Sequence, residues 1–536
     1  MPLAVISNTN KDIIMSNHEQ YDVVIIGGGI AGGIMAQELG AAGKRVLVLE
    51  AGTDTGKTFA GYQKYMSTFF TNLIKIPNSP FPQNPNAPQP LVTDVAKITE
   101  GQPATSGYFV QRGPLPFSST YTRALGGTTL HWLGTCLRML PEDFDIKTRF
   151  GHGLDWPISY NDLKPWYEKA EFGIGVAGNA NEQNYHTIDN PAVHIPFESE
   201  PCKEKPYDYP MEKIPQSYLD NTLDEGLKGM TVNLSGKTYP IDVVSTPQGR
   251  NGMPRGDFRP RGAVGNPDIG QRCEGNSNCV PICPVQAKYN ALKTLEDAIQ
   301  SGNVEVRAQS VAFKLDVDPA TNLINAVHYK RYESPNSPDY QCETVSGKVV
   351  VLASHAVENA KLMLASQVGN SSGLVGCNLM DHPTMLTWGL MPESIGAFRG
   401  PGSTSGIPSL RGGEFRKDHA AFRIEIGNWG WNWPTGAPIA TVPNLIDEKN
   451  LYGDQLKRYI GEMYPRMFRF GFLVEQLPNV NNRVTIDPAY KDQIGNYRPV
   501  IDYNVSDYTR AGMAAAKRVS DQIFQRLGVE QFTQYD

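Results

Sequence analysis

The segment from Tyr21 to Glu50 constrains the fold of this chain more than any other. Residues 21–27, YDVVIIG, form an apolar, β-branched run that closes on glycine, the pattern of a buried strand. Ile30 to Ala42 reads as a helix, and Arg45 to Leu49 (RVLVL) as a second strand that ends at Glu50. Strand, turn, helix and strand in this order make a β-α-β unit, which calls for parallel strands and an α/β sheet.

The turn inside that unit is Gly27-Gly28-Gly29-Ile30-Ala31-Gly32. It holds the spacing G-x-G-x-x-G. Gly27 permits the tight turn, Gly29 lets a pyrophosphate approach the backbone, and Gly32 lets helix and strand pack closely. The helix start then offers N–H donors and a partial positive charge to phosphates. Glu50 lies 18 residues past Gly32, where a terminal carboxylate can take ribose hydroxyls. The glycine spacing alone is weak. In register with strand, helix, strand and acid, it points to a dinucleotide, and the continuation VLVLEAGTD favours FAD over NAD.

The chain has 536 residues, more than one hydrophobic core of roughly 250–300 residues can organise. Two domains, or one domain with large insertions, are therefore expected. Hydrophobic residues at 40% and charged residues at 19% suit a globular protein rather than a disordered one. A net charge of 49 − 55 = −6 lacks the basic footprint of nucleic-acid binding. No apolar run reaches the roughly 18 residues of a membrane span. The first 20 residues also lack the pattern of a signal peptide, so export would depend on a partner.

Further strands are expected at 303–315, 324–331 and 344–353, with a helix from Val357 to Ser366. Residues 185–275 are polar and weakly periodic, and read as an insertion wrapping the core. From about 384 the pattern alternates as in an antiparallel sheet, for example AFRIEIG at 421–427 and FRFGFLVEQL at 468–477. A last helix starts at its cap Ser506 and stops at Gly528. The expected organisation has four parts. Residues 1–20 are a flexible start. Residues 21–383 form a doubly wound, Rossmann-like dinucleotide domain carrying the insertion 185–275 and a Cys-rich loop at 273–284. Residues 384–505 form an α+β substrate domain on an antiparallel sheet, and residues 506–536 a terminal helix.

Three of the seven cysteines crowd into Cys273-Glu-Gly-Asn-Ser-Asn-Cys279-Val-Pro-Ile-Cys283-Pro284. The odd total and the C-x5-C-x3-C spacing argue against a disulfide framework. Three soft thiolates without a fourth ligand in the motif suit a three-iron cluster. Part of a zinc site, or three reduced thiols in a loop, also remain open.

Three further pieces carry a family resemblance: Gly126-Gly127-Thr128-Thr129-Leu130-His131-Trp132, VVLASHAVENAKLMLAS at 350–366, and Gly376-Cys377-Asn378-Leu379-Met380-Asp381-His382-Pro383. In that order, and together with the glycine turn, they resemble motifs of the glucose–methanol–choline (GMC) flavoprotein oxidoreductases. The likeness runs from Tyr21 to about Gly528. It is nearest to the flavoprotein subunits of bacterial FAD-dependent glucose, fructose and gluconate dehydrogenases. The resemblance implies that Gly126, Gly127, Thr128 and Thr129 lie along the flavin and that Val311 lies on its adenine side. It implies that Asp381 either contacts the flavin or orders its loop, and that His382 is structural. The spacing GGTTLHW is similar to that of pyranose oxidases, so His131 is either joined covalently to the flavin or packed beside it.

The Cys run is similar to the iron–sulfur segment of those dehydrogenases, which implies a 3Fe-4S cluster on Cys273, Cys279 and Cys283. Glu274 stands where relatives often have a second cysteine. The implied activity is FAD-dependent oxidation of a sugar or sugar-acid hydroxyl, with hydride passing to flavin N5. Electrons would then leave through the cluster to a cytochrome c or quinone acceptor. Small chaperone-like and cytochrome subunits are the implied partners, and the periplasmic face of the inner membrane, reached through those partners, the implied location, with the cytoplasm as the alternative if there is no partner. An oxygen-using sugar oxidase and a non-catalytic electron-transfer or assembly subunit are the alternatives. The family's catalytic His/Asn pair would fall beyond Asp536, so no catalytic residue is assigned, and a fragment of a longer protein is the favoured explanation. Trp429, Trp431 and Trp433 suit either a sugar-stacking strip or a packed loop.

Overall fold

A computed structural model describes residues 20–54, 84–90, 107–185, 193–194, 207–260, 272–273, 283, 285–396, 401–428, 445–530 and 532–535. The tryptophans at 429, 431 and 433, Cys279, and nearly all of the expected flexible start lie outside those residues.

The amino-terminal unit forms as its pattern predicts. Strand β1 (Gln20–Ile26) leads into helix α1 (Ile30–Ala41) and strand β2 (Val46–Leu49). Helix α2 (Ala291–Gln300) precedes β3 (Val304–Arg307), β4 (Ser310–Asp318), β5 (Leu323–Arg331) and β6 (Gln341–Leu352), and helix α3 (Ala356–Ser366) follows. These strands form one sheet in the order β3-β2-β1-β6-β5-β4. The first four are parallel and the last two pairings antiparallel. Both faces of β1 are buried. Val23 and Ile25 pack with Ala36 and Ala298 on the side of α1 and α2. Val24 and Ile26 pack with Leu315, Val327 and Leu362 on the other. Burial on both faces is why the strand reads as an unbroken apolar run.

The second sheet is antiparallel. It holds Val244–Ser245, β7 (Thr384–Leu390), β8 (Ser405–Ile407), β9 (Phe422–Gly427), β10 (Met467–Val474) and Phe532–Tyr535. Its alternation is strict. Phe422, Ile424 and Ile426 on β9 join Phe468, Phe470 and Phe472 on β10 in one core. Helix α4 (Asp507–Leu527) covers that face with Ala516, Val519, Ile523 and Phe524. The Phe470 and Phe524 rings stack 5.6 Å apart. Ser506 Oγ accepts from the Thr509 amide at 3.2 Å, and Gly528 closes the helix at φ +66°. The opposite face of the sheet carries Arg423, Glu425 and Arg469, all buried.

The described residues 207–260 of the stretch 185–275 hold more regular structure than its composition suggests. They contain helix Tyr218–Leu227, the hairpin Thr231–Leu234/Lys237–Pro240 and the edge strand Val244–Ser245. Leu219, Leu223 and Leu227 enter the same core as β9, β10 and α4. The physical reason is a four-residue repeat of leucines behind a capping box. Ser217 Oγ accepts from the Asp220 amide at 3.1 Å, and the Asp220 carboxylate accepts from the Ser217 amide at 2.8 Å. Among the described residues no helix is long and apolar enough to cross a membrane.

Candidate functional site: a cleft between two glycine loops

The turn after β1 has the geometry its glycines were expected to allow. Gly27 sits at φ +112°, and a Cβ there would lie 2.7 Å from the Ala353 carbonyl oxygen. A Cβ on Gly32 would lie 2.0 Å from the Gly27 oxygen, so the helix touches the turn only because that position is bare. Gly29 differs from both. A Cβ there would meet no protein atom within 4 Å, because the residue faces open space. That space is a cleft of about 250 Å³ lined by Gly27, Gly29 and Ala31 on this side.

Glu50 closes the next wall. Its Oε2 accepts from the Gly28 amide at 2.9 Å and its Oε1 from the Gly52 amide at 2.8 Å. Each carboxylate oxygen retains capacity for a further donor, and Glu50 lines the cleft. The second glycine loop is tied to the first. The Gly126 amide donates to the Gly28 carbonyl at 2.9 Å. Gly126 and Gly127 take φ +99° and +57°, and a Cβ on Gly127 would lie 3.1 Å from Gly29 Cα. Thr129 Oγ1 donates to the Gly126 carbonyl at 2.6 Å and accepts from the Ala291 amide at 2.9 Å, joining the loop to the start of α2. Gly127, Thr128 and Thr129 line the cleft, and Val311 and Ala312 line it from β4.

The arrangement fits an elongated anionic ligand with two sugar-like hydroxyls. A helix start beside an unobstructed glycine favours phosphate, and a carboxylate at the end of β2 favours a ribose. Open space at Gly29 and close approach at Gly127 supply the room.

Not every expected residue lines this cleft. Gly32 and Gly126 shape the loops from behind. His131 is 5% exposed and lies outside the lining. Burial, followed by the neighbouring Lys288 charge, pushes its imidazole down to about 4. Asp381 is exposed and also outside the lining; its amide donates to Gln476 Oε1 at 2.9 Å. For the thiols, the Cys273 amide donates to the Asn251 carbonyl at 2.9 Å, and the Cys283 carbonyl accepts from the Gln286 amide at 3.2 Å. Among the described residues no three His, Cys, Asp or Glu side chains converge as metal ligands, and Cys279 is not among those residues.

Sequence reasoning missed part of the lining. Tyr121, Arg123, His355, Glu358 and Lys361 line the cleft. Glu358 Oε1 accepts from Tyr121 at 2.6 Å and Tyr108 at 2.8 Å, while Lys361 Nζ lies 2.6 Å from Oε2. The available signals were Arg123, two residues before Leu125-Gly-Gly, and the i, i+3 pair Glu358/Lys361 on the helix after a strand.

Comparison with known proteins agrees with this geometry. The sequence profile described as GMC oxidoreductase matches residues 262–384, and a NAD(P)-binding Rossmann-like profile matches 25–70. The fructose dehydrogenase large subunit of Gluconobacter japonicus is 30% identical, over 96% of this chain and 85% of its own. The gluconate 2-dehydrogenase flavoprotein of Pantoea cypripedii is 26% identical, over 96% and 82%. Among solved structures, a formate oxidase aligns with TM-score 0.57 at 15% identity, covering 97% of this chain and 84% of that one. Pyridoxine 4-oxidase of Mesorbium loti aligns with TM-score 0.53 at 15% identity, over 96% and 83%. At those identities the structural likeness concerns the fold.

Proposed function

The chain belongs to the GMC oxidoreductase family, and from that premise we propose that it oxidises a sugar or sugar-acid hydroxyl with FAD held between its two glycine loops. The observation that carries the reading is the joined pair of loops, with Gly126 bonded to Gly28 and Glu50 fastened beside them. Bound there, FAD supplies the hydride acceptor. The start of α1 and the Gly29 backbone would meet its diphosphate, Glu50 would meet the ribose hydroxyls, and Val311 would lie on the adenine side. Gly127, Thr128 and Thr129 would run along the flavin, with Gly126 holding their loop from behind. The named substrates of the two dehydrogenase relatives, fructose and gluconate, support a polyhydroxylated substrate.

The finer part of the proposal concerns electron exit. Cys273, Cys279 and Cys283 would hold a 3Fe-4S cluster that passes electrons singly to a cytochrome c or quinone. The relative named as a large subunit supports partner subunits, and a small signal-bearing partner would carry the chain to the periplasmic face of the inner membrane.

The test is dye reduction by the protein reconstituted with FAD, against fructose, gluconate and glucose, with iron and peroxide measured in the same samples. Sugar-dependent dye reduction with about three irons per chain supports both parts. Turnover without iron removes the cluster, steady peroxide points to an oxidase, and absence of flavin uptake removes the reading. Yellow colour retained in an acid-precipitated pellet, and lost in His131→Asn, would place a covalent bond at His131. Release of all flavin excludes it.

A further inference from the structure

We propose that Glu358 is a positioning residue for the dinucleotide: it gathers Tyr108, Tyr121, Arg123 and Lys361 into one buried cluster that sets the cleft wall facing the ligand. The proposal rests on the FAD reading above and assigns this chain's own residues within it.

The cluster is built around one carboxylate. Oε1 takes two phenol hydroxyls, from Tyr121 at 2.6 Å and Tyr108 at 2.8 Å. Oε2 takes the Lys361 ammonium at 2.6 Å, with an Arg123 nitrogen 4.0 Å away. Lys361 Nζ also donates to the Tyr108 hydroxyl at 2.7 Å, and Arg123 reaches that hydroxyl at 3.3 Å and the Pro88 carbonyl at 3.0 Å. The side chains of Arg123, Glu358 and Lys361 are about nine-tenths buried. Burying a carboxylate and two cations is costly unless each is paired and hydrogen-bonded. Here each is, and the donors come from two separate loops and one helix.

The consequence reaches the cleft through Tyr121. Its ring stacks on His355 at 4.1 Å and 19°. His355 Nδ1 accepts from the Val357 amide at 3.3 Å, capping α3. In the neutral ring that bond leaves the proton on Nε2. Glu358 thus fixes Tyr121, Tyr121 fixes the imidazole plane, and the helix cap fixes its tautomer. Tyr121, Arg123 and His355 all line the cleft. A charge-only role for Glu358 makes the opposite prediction. Four charged side chains line the cleft, Glu50 and Glu358 against Arg123 and Lys361, so their charges cancel. A diphosphate would bind more tightly to a wall that had lost one carboxylate. A positioning role predicts weaker binding after the same change.

The experiment is FAD titration of the flavin-stripped full chain, read by quenching of flavin fluorescence, for wild type, Glu358→Gln and Tyr121→Phe. Thermal melts of each stripped protein accompany it. Tyr121→Phe keeps the stacked ring and removes only the hydroxyl given to Glu358, so it carries the test if Glu358→Gln does not fold. The expected result is an increase in FAD Kd of about tenfold or more for Glu358→Gln and several-fold for Tyr121→Phe. The melting temperature of stripped Tyr121→Phe should lie near wild type. Wild-type uptake with unchanged or tighter binding in the variants overturns the positioning role alone. A wild-type chain that takes up no FAD overturns the reading beneath it as well.

Discussion

The Glu50 carboxylate accepts a hydrogen bond from the Gly28 amide, 2.9 Å away and 22 residues earlier in the chain. With the Gly52 amide on its other oxygen at 2.8 Å, it clasps the turn after β1 to the exit of β2. A carboxylate can take two amide donors on its two oxygens. A carboxamide cannot, since one of its two ends is itself a donor. Glu50→Gln therefore sets an NH2 group against a buried N–H, at about 1–3 kcal/mol. We expect a lower melting temperature and FAD affinity reduced by about tenfold or more, measured by thermal melts and fluorescence titration. Equal affinity would separate Glu50 from ligand binding.

The glycines of the turn divide into two kinds, and alanine substitution distinguishes them. Gly29 has φ −85°, which any residue adopts, and no protein atom would meet its Cβ. Gly29→Ala should leave the stripped protein within about 0.5 kcal/mol of wild type while abolishing FAD uptake, because the methyl occupies the cleft. A Cβ on Gly32 falls 2.0 Å from the Gly27 oxygen, a backbone atom. Gly32→Ala should cost about 3 kcal/mol or more with or without flavin. Urea unfolding of both variants, stripped and loaded, checks the pair.

His131 predicts a pH dependence in the flavin-free chain. Burial and the Lys288 charge hold its folded pKa down at about 4, below the roughly 6.5 of an unfolded chain. Between those values the unfolded state binds the extra proton, so stability rises with pH there and falls as pH drops from about 6.5 toward 4. The full contribution approaches about 3 kcal/mol. His131→Asn should flatten the slope of melting temperature between about pH 4 and 6.5. A slope equal to wild type would assign the acid sensitivity to other groups.

What the sequence revealed and what it hid follow from the range of the interactions. β1, α1 and β2 were legible because turn, apolar run and terminal acid are local signals within 31 residues, from Gln20 to Glu50. Helix α4 was legible through Ser506, its apolar stripe and Gly528. The cluster around Glu358 was not, because Tyr108 and Tyr121 stand 250 and 237 residues from it and meet only through the sheet. Arg423, Glu425 and Arg469 alternate with the apolar residues of their strands, and local alternation does not show that their face of the sheet is buried too. Helix Tyr218–Leu227 was obscured by the Pro- and Gly-rich chain that follows it, although its leucines recur every four residues.

That helix offers the last test. Leu223 is fully buried, in the core that also holds Ile424, Phe470 and Ile523. If residues 218–227 only wrapped the outside of a finished core, shortening Leu223 would cost little. Packed as they are, Leu223→Ala removes three methylene-sized groups and leaves a cavity that neighbouring sheet and helix cannot readily fill, at about 2–5 kcal/mol. Leu323→Ala is the control, since Leu323 is 66% exposed and should change stability by no more than about 0.5 kcal/mol. Urea midpoints should fall for the first variant and hold for the second, with unchanged slopes in both. A small loss at Leu223 would show that the second sheet completes its core without this helix.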